Sequence, residues 1–444
     1  NTAGTYTLTA TDGALTSAVS SSVEITTVAA KLAFTTEPSG TASGGSAFAI
    51  QPVVKIQDAT GHTIVANTSS VVLTITGGGG GSTLACTGTT TKVAVAGVAT
   101  FAGCKVDHTG TYTLTATDAP LTSAISTTIV IASGAAAKLA FTTEPAGATG
   151  GVSLATQPVV TVQDLGGNTV TANTTAVTLT ITTPAGAALA CTANPKAAVA
   201  GVATFAGCKI DLIGTYTLTA ADGSLTTAVS SSVTITLGQA AKLAFTTQPG
   251  SSTGGVAFAA QPVVKVQDLG GNTVTSNTSS VTLAITTPAG ATLACTANPK
   301  AAVAGIATFA ACKIDLEGTY TLTATDGALT SAISGSSTIT VGAAVALRYL
   351  GQPVGGAPGT AFDSPPIVRV VDLGGNTVTT NTSSVLLALT SAGGATLTCS
   401  VNPLAATAGV ATFAACRIDL AGTYTITATD GSLTSVVSNS VVIA

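Results

Sequence analysis

Eight cysteines fall two by two into four stretches of the chain: Cys86 with Cys104, Cys191 with Cys208, Cys295 with Cys312, and Cys399 with Cys416. Their separations are 18, 17, 17 and 17 residues, and each pair brackets a turn such as Ala193-Asn194-Pro195-Lys196 between two candidate strands. Adjacent antiparallel strands can bring two Cα atoms within the ~4.4–6.8 Å that a disulfide needs, so four local disulfides are expected. Zinc is the rival chemistry. Two thiolates without a nearby His make only half a tetrahedral site, and the closely spaced Cys pair of a zinc ribbon is missing. A reactive thiol is disfavoured because the same position recurs four times. Oxidised cysteines point to a compartment outside the cytoplasm.

The remaining side chains that could do chemistry are scattered or locked to repeated positions. His62 and His108 are the only histidines, and their counterparts further on are Asn168 and Leu212. A general base needs partners, and none recurs beside them, so both are read as loop residues. Asp58, Asp164, Asp268 and Asp372 occupy one turn, and Asp118, Asp222, Asp326 and Asp430 another. An Asp before Gly or Asn commonly caps its own turn. Calcium at a domain joint is the functional rival, with Glu37 and Glu144 as further ligands, but Gln248 and Gln352 replace them later. No catalytic residue, cofactor site or metal site is therefore assigned. Asn67, Asn173, Asn277 and Asn381 each open an Asn-Thr-Ser or Asn-Thr-Thr run, which matches the N-glycosylation acceptor pattern. The alternative is a polar lead-in to a strand, and exposed Thr and Ser could equally carry O-linked sugar.

The elements that hold these residues repeat. Lys31-Leu32-Ala33-Phe34 returns at Lys138 and Lys242, with a weaker copy at Leu347-Arg348-Tyr349, and Tyr112, Tyr216, Tyr320 and Tyr424 stand in Gly-Thr-Tyr-Thr motifs 104 residues apart. Self-similarity at that period means an array. Reading between copies gives units at 31–136, 137–240, 241–344 and 345–444, each about the size of an immunoglobulin-like sandwich at ~100 residues. Inside a unit the apolar pattern has period two, as in Val177, Leu179 and Ile181 alternating with Thr178 and Thr180. Turns such as Asp268-Leu269-Gly270-Gly271-Asn272 separate the strands, and no 3.6-residue period competes. The fold class is all-β, with tandem immunoglobulin-like sandwiches in a rod-like array of roughly 160 Å, from ~3.3 Å per strand residue. All sixteen aromatic residues fall at repeat-locked places, which reads as core packing and not as a carbohydrate platform.

The runs Ala241-Lys242-Leu243-Ala244-Phe245, Gln261-Pro262-Val263-Val264, Gly305-Ile306-Ala307-Thr308-Phe309 and Gly318-Thr319-Tyr320-Thr321 resemble the Ig-like repeats of bacterial cell-surface and adhesin proteins. The resemblance spans essentially the whole chain and implies secreted stalks and surface fibres. It implies no particular ligand, because function does not follow from fold. The local cysteine pairs depart from the inter-sheet pair of antibody domains, so only the general sandwich carries over.

Residues 1–30 match only the last two strands of a unit, with Tyr6 aligned to Tyr424. A lone hairpin is marginal in water, so a cut from a longer parent is expected, with strand donation to a neighbouring molecule as the alternative. The chain has no Met, and no signal peptide is visible, consistent with a mature product or a segment.

Composition narrows the function classes. Charged residues are 7% of the chain, the net charge is −4 and the 14 Lys and Arg are dispersed, so no basic stripe invites nucleic acid. Mean hydropathy is +0.58, yet no apolar run reaches the ~18 to 20 residues of a membrane span. Weak self-repulsion permits close lateral contact, and Thr-rich edges carry few of the Lys residues that block sheet pairing. The expected role is a non-enzymatic structural protein of an extracellular filament, sheath or surface layer that self-associates, with other surface proteins or glycans as further partners. The stalk of a cell-surface adhesin is the alternative, and a spacer in a secreted hydrolase the third.

Overall fold

Alternating side chains decide which face of each strand is buried. In Val53–Gln57, Val54 and Ile56 are fully buried while Val53, Lys55 and Gln57 are half-buried, and in Gly110–Thr117 the inward set is Tyr112, Leu114 and Ala116. The computed structural model describes residues 4–78, 80–183, 186–288 and 290–444, and among them the regular elements are all strands. Contacts divide the chain into two compact units, Asn1–Ala148 with Val152–Thr236, and Thr149–Gly151 with Leu237–Ala444.

The first unit begins with a hairpin of four short pieces, β1 (Gly4–Tyr6), β2 (Thr9–Ala10), β3 (Ala18–Val19) and β4 (Val23–Ile25), in which β1 pairs with β4 and β2 with β3. A complete sandwich follows: β5 (Lys31–Thr36), β6 (Thr41–Ser43), β7 (Val53–Gln57), β8 (Ser70–Gly77), β9 (Leu84–Ala85), β10 (Thr91–Val93), β11 (Val98–Thr100), β12 (Lys105–Val106), β13 (Gly110–Thr117), β14 (Ala124–Ile125) and β15 (Ile129–Ala132). One sheet has the order β5-β7-β11, the other β10-β8-β13-β15-β6, with β14 also on β13 and a separate β9-β12 ladder. The β15–β6 contact is parallel and the rest antiparallel.

Between the two sheets lies one apolar cluster that includes Leu32, Val54, Ile56, Val71, Leu73, Phe101, Tyr112, Leu114, Ile129 and Ile131. A second cluster fills the sandwich built around Leu139, Phe205 and Tyr216 in the first unit. The second unit holds two more, around Phe309 and around Phe413. Burying one such Phe or Leu is worth roughly 1.5–3 kcal/mol. The aromatics are not uniformly core. Phe101, Phe205, Phe309 and Phe413 are buried, as are Phe48, Phe258 and Phe362, whereas Phe34, Phe141, Phe245 and Tyr349 are half-buried. Tyr6 departs from the core reading, for it is 44% exposed.

The four cysteine pairs are bonded as Cys86–Cys104, Cys191–Cys208, Cys295–Cys312 and Cys399–Cys416. Their Cα atoms lie 3.9 Å apart, closer than the usual disulfide spacing. The register explains it: Ala85 faces Lys105 and Ala190 faces Lys209, so the next residues on each strand, the cysteines, stand directly opposite one another.

Candidate functional site

Where the same sandwich is built repeatedly, the feature that can carry function is the joint by which one copy holds the next. Each unit contains one complete joint, and the two are made from equivalent residues.

In the first unit the joint is centred on the turn Asp164–Asn168. The turn folds because Asp164 Oδ1 accepts from Asn168 N at 2.9 Å and Asp164 O accepts from Gly167 N at 3.2 Å. The same carboxylate is wholly buried and reaches back along the chain, where Oδ2 accepts from Gly134 N in the linker at 2.8 Å. Asn168 completes the link to the preceding sandwich. Its Nδ2 donates to Asp107 O at 2.8 Å and its Oδ1 accepts from Thr109 N at 2.9 Å, beside the carbonyl of His108 to which the Tyr112 phenol donates. In the second unit Asp372 Oδ2 accepts from Gly342 N at 2.8 Å, Asn376 Nδ2 donates to Asp315 O at 2.8 Å, and Asn376 Oδ1 accepts from Glu317 N at 2.9 Å.

The receiving surface is made by glycine. A Cβ on Gly44 would overlap Asn168 Nδ2 and stand 2.6 Å from Asp107 O, and one on Gly254 would overlap Asn376 Nδ2 and stand 2.6 Å from Asp315 O. The neighbours Gly45 and Gly255 adopt φ of +72° and +75°, which L side chains rarely take. Burial works to raise the Asp164 pKa, but the donors Gly134 N, Asn168 Nδ2, Asn168 N and Gly166 N outweigh it and hold the carboxyl below its ordinary range. The joint is thus a hydrogen-bonded clamp in which both carboxylate oxygens of Asp164 accept.

Position by position, the equivalent of Asn168 and Asn376 in the first sandwich is His62, which turns to Thr60 Oγ1 at 2.8 Å and leaves its ring largely exposed. Asp58 there is held at about 2, chiefly by the Thr60 hydroxyl, with the backbone N–H groups of His62, Thr60 and Gly61. In the last sandwich Pro358 stands at the Gly254 position. The first sandwich thus lacks the Asn of the clamp and the last lacks its receiving glycine.

The other sequence-selected residues are placed as follows. His108 lies beside Asp107, 3.1 Å from Oδ1. Burial raises the Asp107 pKa, and Thr83 N, Thr83 Oγ1, His108 N and the His108 ring bring it down to about 2. The second acidic set does not cap its own turn through the carboxylate, contrary to expectation. The turn closes through backbone, as Leu121 N to Asp118 O at 2.8 Å, while the carboxylates of Asp118, Asp222, Asp326 and Asp430 accept from the hydroxyls of Ser69, Thr175, Ser279 and Ser383. Those hydroxyls close the four Asn-Thr-Ser/Thr runs, and Asn67, Asn173, Asn277 and Asn381 each accept from the backbone N two residues on, at 2.8 to 3.1 Å. Glu37, Glu144, Gln248 and Gln352 all accept one backbone N–H, from Thr127, Ser231, Gly335 and Asn439 respectively. An amide oxygen does that task as well as a carboxylate, which accounts for Gln248 and Gln352 standing where Glu37 and Glu144 do. Among the described residues no group of three or more His, Cys, Asp or Glu converges.

Sequence reasoning missed the clamp and one further lock. Gln51, Gln157 and Gln261 accept from the N–H of Cys104, Cys208 and Cys312, each at 2.7 Å, and donate back to Phe48 O, Leu154 O and Phe258 O. The recurring Gln-Pro dipeptide was the available signal, and Pro365 breaks it in the last sandwich.

No protein-family model matches the chain. No curated protein matches it either. Solved structures do match. Domains 4–9 of the surface layer protein SbsC share 14% identity over 93% of this chain, with a TM-score of 0.20, and this chain spans 66% of that one, less than two thirds of its length. Three titin Ig domains share 14% identity over 71% of this chain and 100% of theirs, at 0.25. The Escherichia coli adhesin FdeC shares 15% over 72% of this chain and 99% of its own, at 0.23. At such identities and scores no function passes to this chain, and the sandwich assignment rests on its own strand pairing.

Proposed function

We propose that this chain is a structural protein of an extracellular bacterial filament, sheath or surface layer, built from disulfide-stapled Ig-like sandwiches, and that it is not an enzyme. The observation that carries the reading is the clamp: equivalent buried Asp residues, with their Asn and linker Gly partners, join consecutive sandwiches in both units. A joint with all its hydrogen bonds satisfied suits a protein that transmits position or tension along its length. The four disulfides support a location where thiols stay oxidised. Two equivalent grooves also fit this reading. One of about 580 Å³ is lined by Leu179, Ile181, Ala187, Leu189 and threonines, and its counterpart of about 450 Å³ by Leu283, Ile285 and Pro288 with their neighbours. Neither presents a titratable side chain to a substrate.

Self-association supplies the assembly. The outer face of the larger sheet carries threonine ladders, with hydroxyls of Thr182 and Thr219 at 2.6 Å, Thr286 and Thr323 at 2.7 Å, and Thr390 and Thr427 at 2.7 Å. An uncharged ladder of this kind offers little repulsion to a second copy. Electron microscopy of native material tests the proposal. Regular laterally ordered fibres or sheets are expected, and isolated thin strands ending in a distinct distal density would replace it with an adhesin stalk.

A further inference from the structure

The three arginines of the chain, Arg348, Arg369 and Arg417, all stand in the last sandwich, while the basic residues before them, from Lys31 to Lys313, are lysines. Two of the three are paired. Arg348 in the strand Ala346–Gly351 lies directly opposite Arg369 in the strand Ile367–Val371. The equivalent pairs in the first three sandwiches are Ala33 with Lys55, Ala140 with Thr161 and Ala244 with Lys265, so none of them opposes two cations. Leu347, Val368 and Val370 belong to the core, which places Arg348 and Arg369 together on the outward face of the sheet, the first exposed and the second half-buried. Side chains so placed have Cβ atoms about 4.5–5.5 Å apart, and like charges there are destabilising.

The repulsion is not relieved from within. Among the described residues no carboxylate reaches ion-pair distance of either guanidinium. Asp372 is spent on Gly342 N and Asn376, Asp419 on Thr396 N, and Asp430 on the Ser383 hydroxyl. On its other side Arg369 faces Val410, which offers no acceptor. The Nε of Arg369 is itself buried without a hydrogen-bond partner, and a donor left in that state costs stability.

We propose that Arg348 and Arg369 form a binding site for an acidic polysaccharide, whose carboxylate or sulfate groups pair with the two guanidiniums. A lysine is a point charge, whereas the planar fork of arginine holds such a group through two parallel bonds. Two forks side by side suit two oxyanions side by side, and a polymer with an acidic group on successive sugars supplies both from one molecule. A small free anion meets only two side chains on an open face, but linkage makes the second contact intramolecular. The carboxylates of the other sandwiches are committed internally, as for Asp107, Asp315, Glu37 and Glu144, which leaves a second copy few to lend.

The test follows the three arginine Nε–H signals of the full chain by NMR. Arg417, which faces Thr398 on a separate ladder, is the internal control. Titration with tetragalacturonate should shift the Arg348 and Arg369 signals together and move Arg417 no more than sodium chloride does. Half-saturation, counted per carboxylate, should fall about tenfold or more below that of monomeric galacturonate and should weaken as salt is raised. Arg348→Ala restores the alanine of the other three sandwiches, so the fold is kept, and it should abolish the tenfold advantage. Half-saturation by galacturonate monomer or inorganic sulfate equal to that of the tetramer would assign the pair to a free oxyanion and overturn the polymer as its occupant. Absence of a shift at either arginine, or shifts unchanged by Arg348→Ala, would overturn the site. Shifts that develop without any probe as protein concentration rises would give the pair to a carboxylate of a second copy and overturn it too. Each arm reads a single sandwich in solution, so failure here is distinguishable from failure of the filament reading, which microscopy decides.

Discussion

Asn168 and Asn376 matter through what they leave behind when removed. Each satisfies a backbone carbonyl and a backbone N–H of the preceding sandwich and shields a buried carboxylate. Leaving such groups unpaired costs about 1–3 kcal/mol. Asn376→Ala should therefore destabilise the second unit by about that amount, measured by urea unfolding, and should increase motion between its two sandwiches in NMR relaxation. An unchanged midpoint and unchanged relaxation would show that the clamp contributes nothing to the joint. The carboxylates set the acid response of the first unit. Asp58, Asp107 and Asp164 all have lowered pKa values when folded, so their contribution is fully present above the ordinary carboxylate value and disappears as pH falls through the folded one. Melting temperature should hold level from neutral pH to about 4 and drop between about 4 and 2. A steady decline from pH 7 would assign the sensitivity to other groups.

Strands and their turns are the scale at which the chain was most legible. Alternation such as Val177, Leu179 and Ile181 has one folded solution when a single face can be buried, and local cysteine spacing has one when the two strands are neighbours. Opening the 17-residue loop by Cys295→Ser with Cys312→Ser should lower the stability of that sandwich by about 3 kcal/mol in the chain-entropy account. The urea midpoint measures it, and exchange at Leu322 should rise while exchange at Leu114 stays fixed. Gly254→Ala tests the receiving surface, because the added methyl overlaps Asn376 Nδ2. It should reproduce the Asn376→Ala phenotype in both readouts. What the strands did not disclose was the use of their turn ends. Asp164-Leu165-Gly166-Gly167-Asn168 reads from sequence as a self-capped turn, and it is one, yet its Asn side chain is spent on residues about sixty positions earlier. A turn that caps itself and a turn that also grips a neighbour contain the same residue types.

At the scale of the whole molecule, assembly depends on surface left over after every core is closed. Lysines placed on the outer ladders by Thr182→Lys with Thr286→Lys add like charge to a face that has little. Fibres should disappear under microscopy, while monomer stability shifts by no more than about 0.5 kcal/mol; fibres that persist would move the lateral contact to another face. The amino-acid sequence by itself determined the all-β class, the repeat and the cysteine pairing, because period, spacing and residue type are local quantities that backbone geometry converts directly into strands and bridges. Only the tertiary structure decided that Asp164 and Asn168 act as a joint, that Glu37 and Gln248 perform one task, and that Tyr6 is exposed where Tyr112 is buried. Those properties belong to pairs of surfaces brought together across long stretches of chain, and a residue carries the same letter whether or not its partner surface is present.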